Sequence, residues 1–217
     1  MALNKLKFNS LNVTPAAGKG IGFNSSADGL EATFSGGAMT FIKKLTASSS
    51  STLSFVDGSS DVVLDNTYKE YIFIFKSIHQ SNETYFTFNG STDSGSNYNA
   101  TKTTTFFSAY HNENGTSGTL EYSTSADLVQ STDFQRLSPT TSTDNDAALS
   151  GYLHLFNPSS TTFVKNFIAV TSAGYNTGNE SVRAAGYFNT TSAIDAVQFK
   201  PAAGTMDAGT ITLYGIN

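Results

Sequence analysis

The chain contains no cysteine, no tryptophan and few charged residues. The absence of cysteine excludes disulfides, thiolate nucleophiles and cysteine-ligated zinc, so the fold must be stable without covalent cross-links in either redox compartment. Only 13% of the 217 residues are charged, against about 25% in an ordinary soluble domain. Hydroxyl and amide side chains therefore supply most of the polar surface, as they do in extracellular β proteins, adhesins and virion surface proteins.

Runs of basic residues are also absent. The 12 lysines and arginines are outnumbered by 17 aspartates and glutamates, which gives a formal net charge of -5. Binding to a phosphate backbone would lack its electrostatic driving force. We therefore expect no nucleic-acid partner.

Long hydrophobic runs are missing as well. The N-terminal stretch "MALNKLKFNSLNVTPAAGKG" has no apolar core of the kind found in a secretory signal. The longest apolar runs, such as "YIFIF" at 71–75, are too short to cross a bilayer. The sequence predicts a soluble protein made in a cytosol, without membrane insertion, that reaches any surface by assembly and not by export.

The pattern that is present from Met39 onward is that of β-strands. Short segments rich in β-branched and aromatic residues are separated by clusters of Ser, Asn, Gly and Asp. These segments are 39–46, 52–56, 68–78, 83–89, 101–110, 118–123, 150–157, 161–172, 182–189, 193–199 and 209–216. Only "SADLVQSTDFQRL" at 125–137 is expected to hold a turn or two of helix.

Alternation within the strands predicts which of them are central. In the strand at 68–78 both faces are apolar, which predicts a central strand covered on both sides. One face carries Tyr71, Phe73 and Phe75, and the other carries Ile72, Ile74 and Ile78. The final strand places Ile211 and Leu213 on one face, the pattern of a half-buried strand whose inward residues contribute to the core. Val197 and Phe199 offer a matching apolar face in the preceding strand.

Ten or eleven such strands without an internal repeat predict an all-β fold. The expected architecture is an antiparallel two-sheet β-sandwich, jelly-roll-like, over residues 39–217. The absence of a repeat period argues against a solenoid or a propeller.

Residues 1–38 differ from the rest because single apolar residues are scattered there without any period. The segment is either a flexible tail or an extended N-terminal arm that docks on another subunit, and the isolated Phe and Leu residues favour docking. The predicted docking residues are Phe8, Leu11, Val13, Ile21, Phe23, Leu30 and Phe34.

No residue pattern indicates catalysis or a cofactor. The three histidines, His79, His111 and His154, lack the spacing of a metal site, and His154 alternates with Tyr152 and Phe156 along a strand. We expect ordinary surface or sheet-face histidines, with no metal, no cofactor and no catalytic residue.

The acidic residues are expected to form turns. Asp57 with Asp61 and Asp144 with Asp146 are carboxylate pairs in Gly- and Ser-rich loops, where Asp commonly bonds its own following backbone. The loop "STDSGSNYN" partly matches a calcium-binding loop, but Gly95 stands where a ligand is required, so a tight hairpin loop is the better interpretation.

Sugar binding has a better physical basis than catalysis. Loops that carry Tyr98, Tyr110 and Tyr175 could present rings to the apolar faces of a sugar. Tyrosines at strand ends are more often packing residues, so glycan binding is the alternative hypothesis.

Two stretches of the chain resemble bacteriophage virion proteins. In "YKEYIFIFKSIHQSNETYFTFNGSTDSGSNYNA" a tyrosine-rich strand is followed by "IH" and by an "STD-G-S-Y" loop. The ending "AIDAVQFKPAAGTMDAGTITLYGIN" combines an apolar strand, a loop with "G-x-x-x-AG" and "TITLYGI". The likeness extends over roughly Met39 to Asn217. It is to tail-fibre, appendage and capsid-decoration subunits of tailed phages.

The resemblance implies a structural role on a virion surface. It implies a β-sandwich, a homo-oligomer with a trimer favoured, partners such as the major capsid or tail protein, and no catalytic residues. The lack of a long shaft favours a decoration or adaptor-like subunit over a receptor-binding fibre. A carbohydrate-binding module that recognises a host surface glycan is the alternative, and a glycan hydrolase is third. The expected location is the virion, assembled in the host cytoplasm.

Overall fold

Fourteen β-strands make up the regular structure of the residues that the structure describes. The computed structural model describes residues 20–23, 26, 28–34, 38–175 and 177–216, and the predictions for Phe8, Leu11 and Val13 lie outside these ranges. The described ranges contain no helix and therefore no helix that could cross a membrane. The strands are β1 (Gly20–Phe23), β2 (Leu30–Phe34), β3 (Met39–Thr46), β4 (Leu53–Val56), β5 (Glu70–Gln80), β6 (Phe86–Ser91), β7 (Lys102–Asn112), β8 (Gly118–Tyr122), β9 (Gln135–Arg136), β10 (Leu149–Phe156), β11 (Lys165–Tyr175), β12 (Gly178–Phe188), β13 (Ala196–Pro201) and β14 (Met206–Ile216).

The chain divides into two compact units, Met1–Thr40 and Phe41–Asn217. In the first unit β1 and β2 form an antiparallel pair in which Phe23 lies opposite Leu30, with an irregularity between Gly20 and Gly22. The sequence did not predict this pair because its apolar residues do not alternate.

The second unit is a two-sheet β-sandwich, as the sequence predicted. An eight-stranded antiparallel sheet has the order β3-β14-β5-β10-β11-β12-β7-β8, and a four-stranded sheet has the order β4-β13-β6-β9. When β7, β8, β11 and β12 are set aside, eight strands remain, numbered one to eight along the chain. Their orders are 1-8-3-6 in one sheet and 2-7-4-5 in the other, which is the strand arrangement of a jelly roll.

Two strand pairs are inserted into this arrangement. The pair β7 and β8 lies between β6 and β9 along the chain, and β11 and β12 lie between β10 and β13. Both pairs join the same side of the large sheet beyond β10. The large sheet is therefore twice as wide as the small one, and this extra width creates the surface described below.

The core lies between the two sheets and is dominated by phenylalanine. Phe199 on β13 is fully buried, and its ring centroid lies 5.2 Å from those of Phe73 and Phe75 on β5. Phe86 and Phe88 on β6 stack against the same ring at 5.9 and 6.2 Å. Inward-pointing aromatic residues from both sheets thus interdigitate, which is how aligned sandwiches fill their interior.

Strand β5 confirms one prediction and corrects two others. It is a central strand between β14 and β10, and Tyr71 lies on its buried face. A bulge at Ser77, whose φ of 50° lies in the left-handed region, shifts the pairing register with β10 between Leu149 and Gly151. Ile78 consequently turns to the inner face and is buried, so its predicted place beside Ile74 is wrong. Ile74 itself is 36% exposed, so the prediction that β5 is covered on both sides is wrong.

The last strand is fixed on both sides. β14 pairs with β5 and neighbours β3 in the large sheet. Ile211 and Leu213 are fully buried while Thr212 and Tyr214 are half-buried, which confirms the predicted alternation. The final described residues therefore supply both core and sheet hydrogen bonds.

The helix expected within 125–137 is wrong. This segment contains the two-residue strand β9, in which Gln135 is opposite Phe88 on β6. Gln135 is fully buried and its side-chain amide donates to the carbonyls of Ala126 and Arg136, both at 2.9 Å. Hydrogen bonds from a buried polar residue, and not helical periodicity, fix this stretch.

Candidate functional site

The most distinctive surface of the molecule is the outer face of the eight-stranded sheet, on the side away from the core. Two neighbouring cross-strand rows define this outer face, and their order follows from the strand register. The first row is Thr212, Ile74, Tyr152, Val170, Arg183, Phe107 and Tyr122, and the second is Tyr214, Ile72, His154, Ile168, Ala185 and Thr105.

Large apolar side chains of the outer face are accessible to solvent. Tyr152 and Phe107 are each 41% exposed, Tyr122 is 53% exposed, and Ile74 is 36% exposed. Their neighbours along the same strands, such as Leu153, are fully buried in the core. Exposed apolar surface that is continuous across several strands marks an interaction site more often than scattered single residues do.

The apolar character ends on β10, β11 and β12 at the next cross-strand row, where Ser150, Ser172 and Ser181 lie opposite one another. The same row continues to Ala109 on β7 and to Leu120 on β8, which is 74% exposed. Serine hydroxyl groups are expected on a solvated sheet of this chain, because hydroxyl and amide side chains supply most of its polar surface. On β10, β11 and β12 the apolar rows are therefore a local feature and do not extend along the whole strands.

A groove runs across one end of the outer face. It has a volume of about 470 Å³ and is lined by residues of β7, β10, β11 and β12. Phe156, Ile168 and Tyr187 contribute its larger side chains, and Thr103 and Thr105 its hydroxyl groups. This part of the outer face is therefore concave, and its lining is mainly apolar.

Charged side chains on this side of the large sheet include Glu70 and Lys76 on β5 and Arg183 on β12. Glu70 Oε2 lies 2.9 Å from His154 Nε2, and the His154 ring stacks on Phe156 with a centroid separation of 4.1 Å. Arg183 is exposed and has no carboxylate within ion-pair distance among the described residues.

The three histidines do not assemble a metal site. His79 Nδ1 lies 3.6 Å from Asp207 Oδ2, and His79 Nε2 lies 3.2 Å from the carbonyl of Asp144. His154 contacts Glu70 instead, and His111 lies near the end of β7. Within the described ranges no group of three or more His, Cys, Asp or Glu side chains could hold a metal ion.

The carboxylate pairs organise their own loops. Asp57 Oδ1 accepts a hydrogen bond from the backbone N–H of Leu64 at 2.8 Å, while the Asp61 side chain is 93% exposed and lies 3.8 Å from Lys43 Nζ. The backbone N–H of Asp144 donates to Ser142 Oγ at 3.1 Å. The Asp57 contact fits the turn-forming role predicted from the sequence, whereas the Asp144 contact is made by its backbone and not by its carboxylate.

The loop after β6 is closed by Asp93. Its carboxylate accepts from Asn97 Nδ2 and Ser91 Oγ, both at 2.7 Å, and from the Asn97 backbone N–H at 2.8 Å. These hydrogen bonds lower the pKa of Asp93 to about 2. The bond from the Asn97 side chain has the largest effect, and the bond from Ser91 has the next largest. Gly95, with φ of 79°, supplies the left-handed residue of the turn. The geometry is that of the tight loop that the sequence predicted.

The three candidate sugar-binding tyrosines are divided between two ends of the large sheet. Tyr175 is the last residue of β11 and pairs with Gly178, which in turn pairs with Asn112 near Tyr110. Tyr98 precedes the opposite end of β7, which begins at Lys102. At a rise of about 3.4 Å per residue, Lys102 lies roughly 27 Å from Tyr110 along the strand. Tyr110 and Tyr175 therefore share one end of the sheet, and Tyr98 does not.

Four predicted docking residues lie on the first two strands. Ile21 and Phe23 are on β1, and Leu30 and Phe34 are on β2. Phe23 is 75% exposed, and Ile21 and Leu30 are 40% and 39% exposed. Their docking on another subunit stays a prediction.

The outer face was not identified from the sequence, although part of its signal was visible. The two-sided apolar pattern of β5 and the alternation of Tyr152, His154 and Phe156 on β10 are features of single strands. Only the strand order brings them beside Val170 and Phe107. The pattern of a single sequence does not reveal that strand order.

Comparisons with protein-family models, with curated proteins and with solved structures found no match to this chain. The two stretches quoted at the end of the sequence analysis, 68–100 and 193–217, contain β5 with β6 and β13 with β14. In the structure β5 pairs with β14, and β6 pairs with β13. The two stretches are thus hydrogen-bonded neighbours in both sheets.

Proposed function

We propose that this protein is a non-enzymatic structural subunit on the surface of a tailed-phage particle. It serves there as a capsid-decoration or tail-appendage subunit, anchored through its N-terminal arm, residues 1–38. The observation that carries the proposal is the outer face, where apolar side chains continue in register across neighbouring strands. Such a face is suited to contact with another protein.

The proposed occupant of the outer face is a second copy of the chain. Tyr152 and Phe107 are each 41% exposed, so burying the remaining surface contributes roughly 1 kcal/mol for each residue before ordering costs. This side of the sheet carries charges of both signs, those of Glu70 and Arg183 among them, so two copies can meet in an orientation that pairs opposite charges. A homo-oligomer follows, with a trimer favoured by the resemblance to phage proteins.

The N-terminal arm, residues 1–38, would make a second contact, with another protein of the particle. Extended segments bind by main-chain hydrogen bonds and by inserting spaced apolar side chains. The exposed Phe23 and Ile21 on β1 are suited to that role. The partner would be the major capsid or tail protein.

The viral setting rests on the resemblance, because one fold serves many functions. The jelly-roll order of the strands is compatible with that setting. The contacts of Asp57 and Asp93 offer loop-closing roles for these two carboxylates, which favours a structural role over a catalytic one.

The direct test is the composition of the particle. Particles of the virus that carries this gene would be purified, and the protein would be quantified by mass spectrometry and located by immunogold labelling. The proposal predicts a stoichiometric component on the particle surface. Recovery of the protein only in the soluble lysate, with none on the particles, would overturn it.

Carbohydrate binding by a tail-fibre module is the second candidate. It is favoured by the position of Tyr110 and Tyr175 at one end of the large sheet. A glycan array with host surface polysaccharides tests it. Tyr110→Ala would then lose the signal and Tyr98→Ala would keep it, whereas an array without any signal would contradict this candidate.

A further inference from the structure

A second surface feature lies on the small sheet and is independent of the assembly contacts proposed above. Lys200 on β13, Thr87 on β6 and Arg136 on β9 are opposite one another in a single cross-strand row. Two aromatic residues beside this row, Tyr85 and Phe134, complete a cluster of rings and cations. All four of the cationic and aromatic side chains are half-buried.

Each cation lies over one ring. The guanidinium carbon of Arg136 is 3.7 Å from the centroid of the Tyr85 ring, and Lys200 Nζ is 4.1 Å from the centroid of the Phe134 ring. Such cation–π contacts hold both positive groups in fixed positions. A guanidinium stacked in this way keeps its N–H groups free at the edges of its plane.

These two side chains have free hydrogen-bonding capacity. Among the described residues, no carboxylate lies within ion-pair distance of Arg136 or Lys200, and neither side chain donates a hydrogen bond. The backbone carbonyl groups of both residues do take part in the packing. The carbonyl of Lys200 accepts from Thr87 Oγ1 at 2.8 Å, and that of Arg136 accepts from Gln135 Nε2 at 2.9 Å. The backbone is therefore fixed while the charged ends remain available.

The side chains surround a pocket of about 400 Å³. Its lining contains two cations, two aromatic rings, Thr87 and Ala202, and it contains no carboxylate. The volume lies in the range of about 300–1,000 Å³ that is common for small-molecule sites. In a chain with a net charge of -5, a concave site with two unpaired cations is suited to an anion.

We propose that the pocket formed by Tyr85, Phe134, Arg136 and Lys200 binds the carboxylate of a small acidic ligand. The planar fork of Arg136 matches two carboxylate oxygens, and the ammonium group of Lys200 adds a second positive charge. The rings and the Ala202 methyl group form the apolar walls. The ligand is either a free carboxylic acid or the acidic residue of a saccharide, which share this chemistry.

The chain offers a clean probe of this site because it contains only two arginines, Arg136 and Arg183. An NMR correlation spectrum of the arginine Nε–H groups therefore has two signals, which single substitutions assign. D-glucuronate, acetate, D-glucose and sulfate would be titrated separately into the full-length protein at low ionic strength. We expect glucuronate to shift the Arg136 signal in a saturable way and to leave the Arg183 signal unchanged.

Variants test the contribution of each cation. Arg136→Met is expected to weaken glucuronate binding at least ten-fold, and Arg136→Lys is expected to restore only part of it because the fork is lost. Lys200→Met is expected to weaken binding less than Arg136→Met does. Arg183→Met and Lys44→Met remove the same charge elsewhere and should leave the affinity unchanged. Backbone spectra of each variant establish that it is folded.

Comparison of the four titrants shows which chemical group the pocket binds. Tighter binding of glucuronate than of acetate identifies an acidic sugar, and equal binding of the two identifies the carboxylate alone. Both results support the proposal. Equal binding of glucose and glucuronate, stronger binding of sulfate than of either carboxylate, or no shift at Arg136 would overturn it. Loss of virion localisation would not affect this result, so the two proposals fail separately.

Discussion

Lys102 donates a hydrogen bond from its buried ammonium group to the backbone carbonyl of Asp133 at 2.5 Å. A second carbonyl, that of Ala100, accepts from the same group at 3.2 Å. Lys102 thus joins the start of β7 to the segment before β9, with its ammonium group 5.8 Å from the centroid of the Phe188 ring. The inserted pair β7 and β8 is connected to the small sheet by this contact.

Burial lowers the pKa of Lys102 to about 7, and the negative charge of Asp133 offsets only part of that effect. In the unfolded chain the pKa returns to about 10.4. Between these values the unfolded state binds a proton that the folded state does not, so stability rises with pH from about 7 to about 10. We expect Lys102 to add at most about 1.4 kcal/mol per pH unit in this window.

The measurement is chemical denaturation of the wild type and of Lys102→Met at pH 7, 8 and 9. The variant should show a shallower dependence of the unfolding free energy on pH. Burial also lowers the pKa of Lys165, so part of the dependence remains in the variant. Identical pH dependence in the two proteins would show that Lys102 keeps its proton in the folded state.

Phe199 is the centre of the aromatic core, with ring contacts to both sheets. Phe199→Ala should lower the free energy of unfolding by about 3–5 kcal/mol because it removes buried area and leaves a cavity. Phe163→Ala is the matched control, since Phe163 is 68% exposed, and its effect should remain within about 0.5 kcal/mol. Denaturant titration of both variants measures the difference. Comparable losses in the two would contradict the assignment of the core.

Gly209 allows β14 to pass the bulge of β5. Its φ is 108°, and a Cβ at this position would lie 2.5 Å from the carbonyl oxygen of Ser77. Gly209→Ala should therefore cost roughly 1–3 kcal/mol or more through backbone strain and this clash. Gly174→Ala is the control, because a Cβ there would meet no atom within 4 Å. Thermal unfolding should show a lower Tm for Gly209→Ala alone.

Residues 1–38 should be dispensable for folding and necessary for anchoring. Every core residue assigned in the described chain lies at Ala47 or beyond, and β3 begins at Met39. A variant lacking residues 1–38 should unfold within a few degrees of the full-length protein and fail to join particles. Its normal incorporation would contradict anchoring by the arm, and its failure to fold would contradict a self-sufficient sandwich.

The strands were predictable where side-chain alternation is strong. The predicted segment 39–46 coincides with β3, and the inward residues Ile211 and Leu213 of β14 are buried as expected. Alternation failed at Ser77, because a bulge changes the phase of a strand without a clear sequence signal. β9 was missed because two residues are too few to show a period.

The surfaces were less predictable than the strands. Tyr152 and Val170 are 18 positions apart in the sequence but lie directly opposite each other in the sheet. Arg136 and Lys200 meet across Thr87 only because β6 separates β9 from β13. Such neighbours depend on strand order, which the pattern of a single sequence does not contain.

The central claim is that the outer face joins copies of this chain. The most direct test is the mass in solution, measured by light scattering, of the wild type and of Ile74→Glu/Tyr152→Glu. Val129→Glu is the control, because Val129 is 77% exposed and lies outside the outer face. The account predicts an oligomer, with three times the 23.0 kDa chain mass favoured, for the wild type and the control, and a folded monomer for the double variant. A monomeric wild type, or a double variant that assembles as the wild type does, would contradict it.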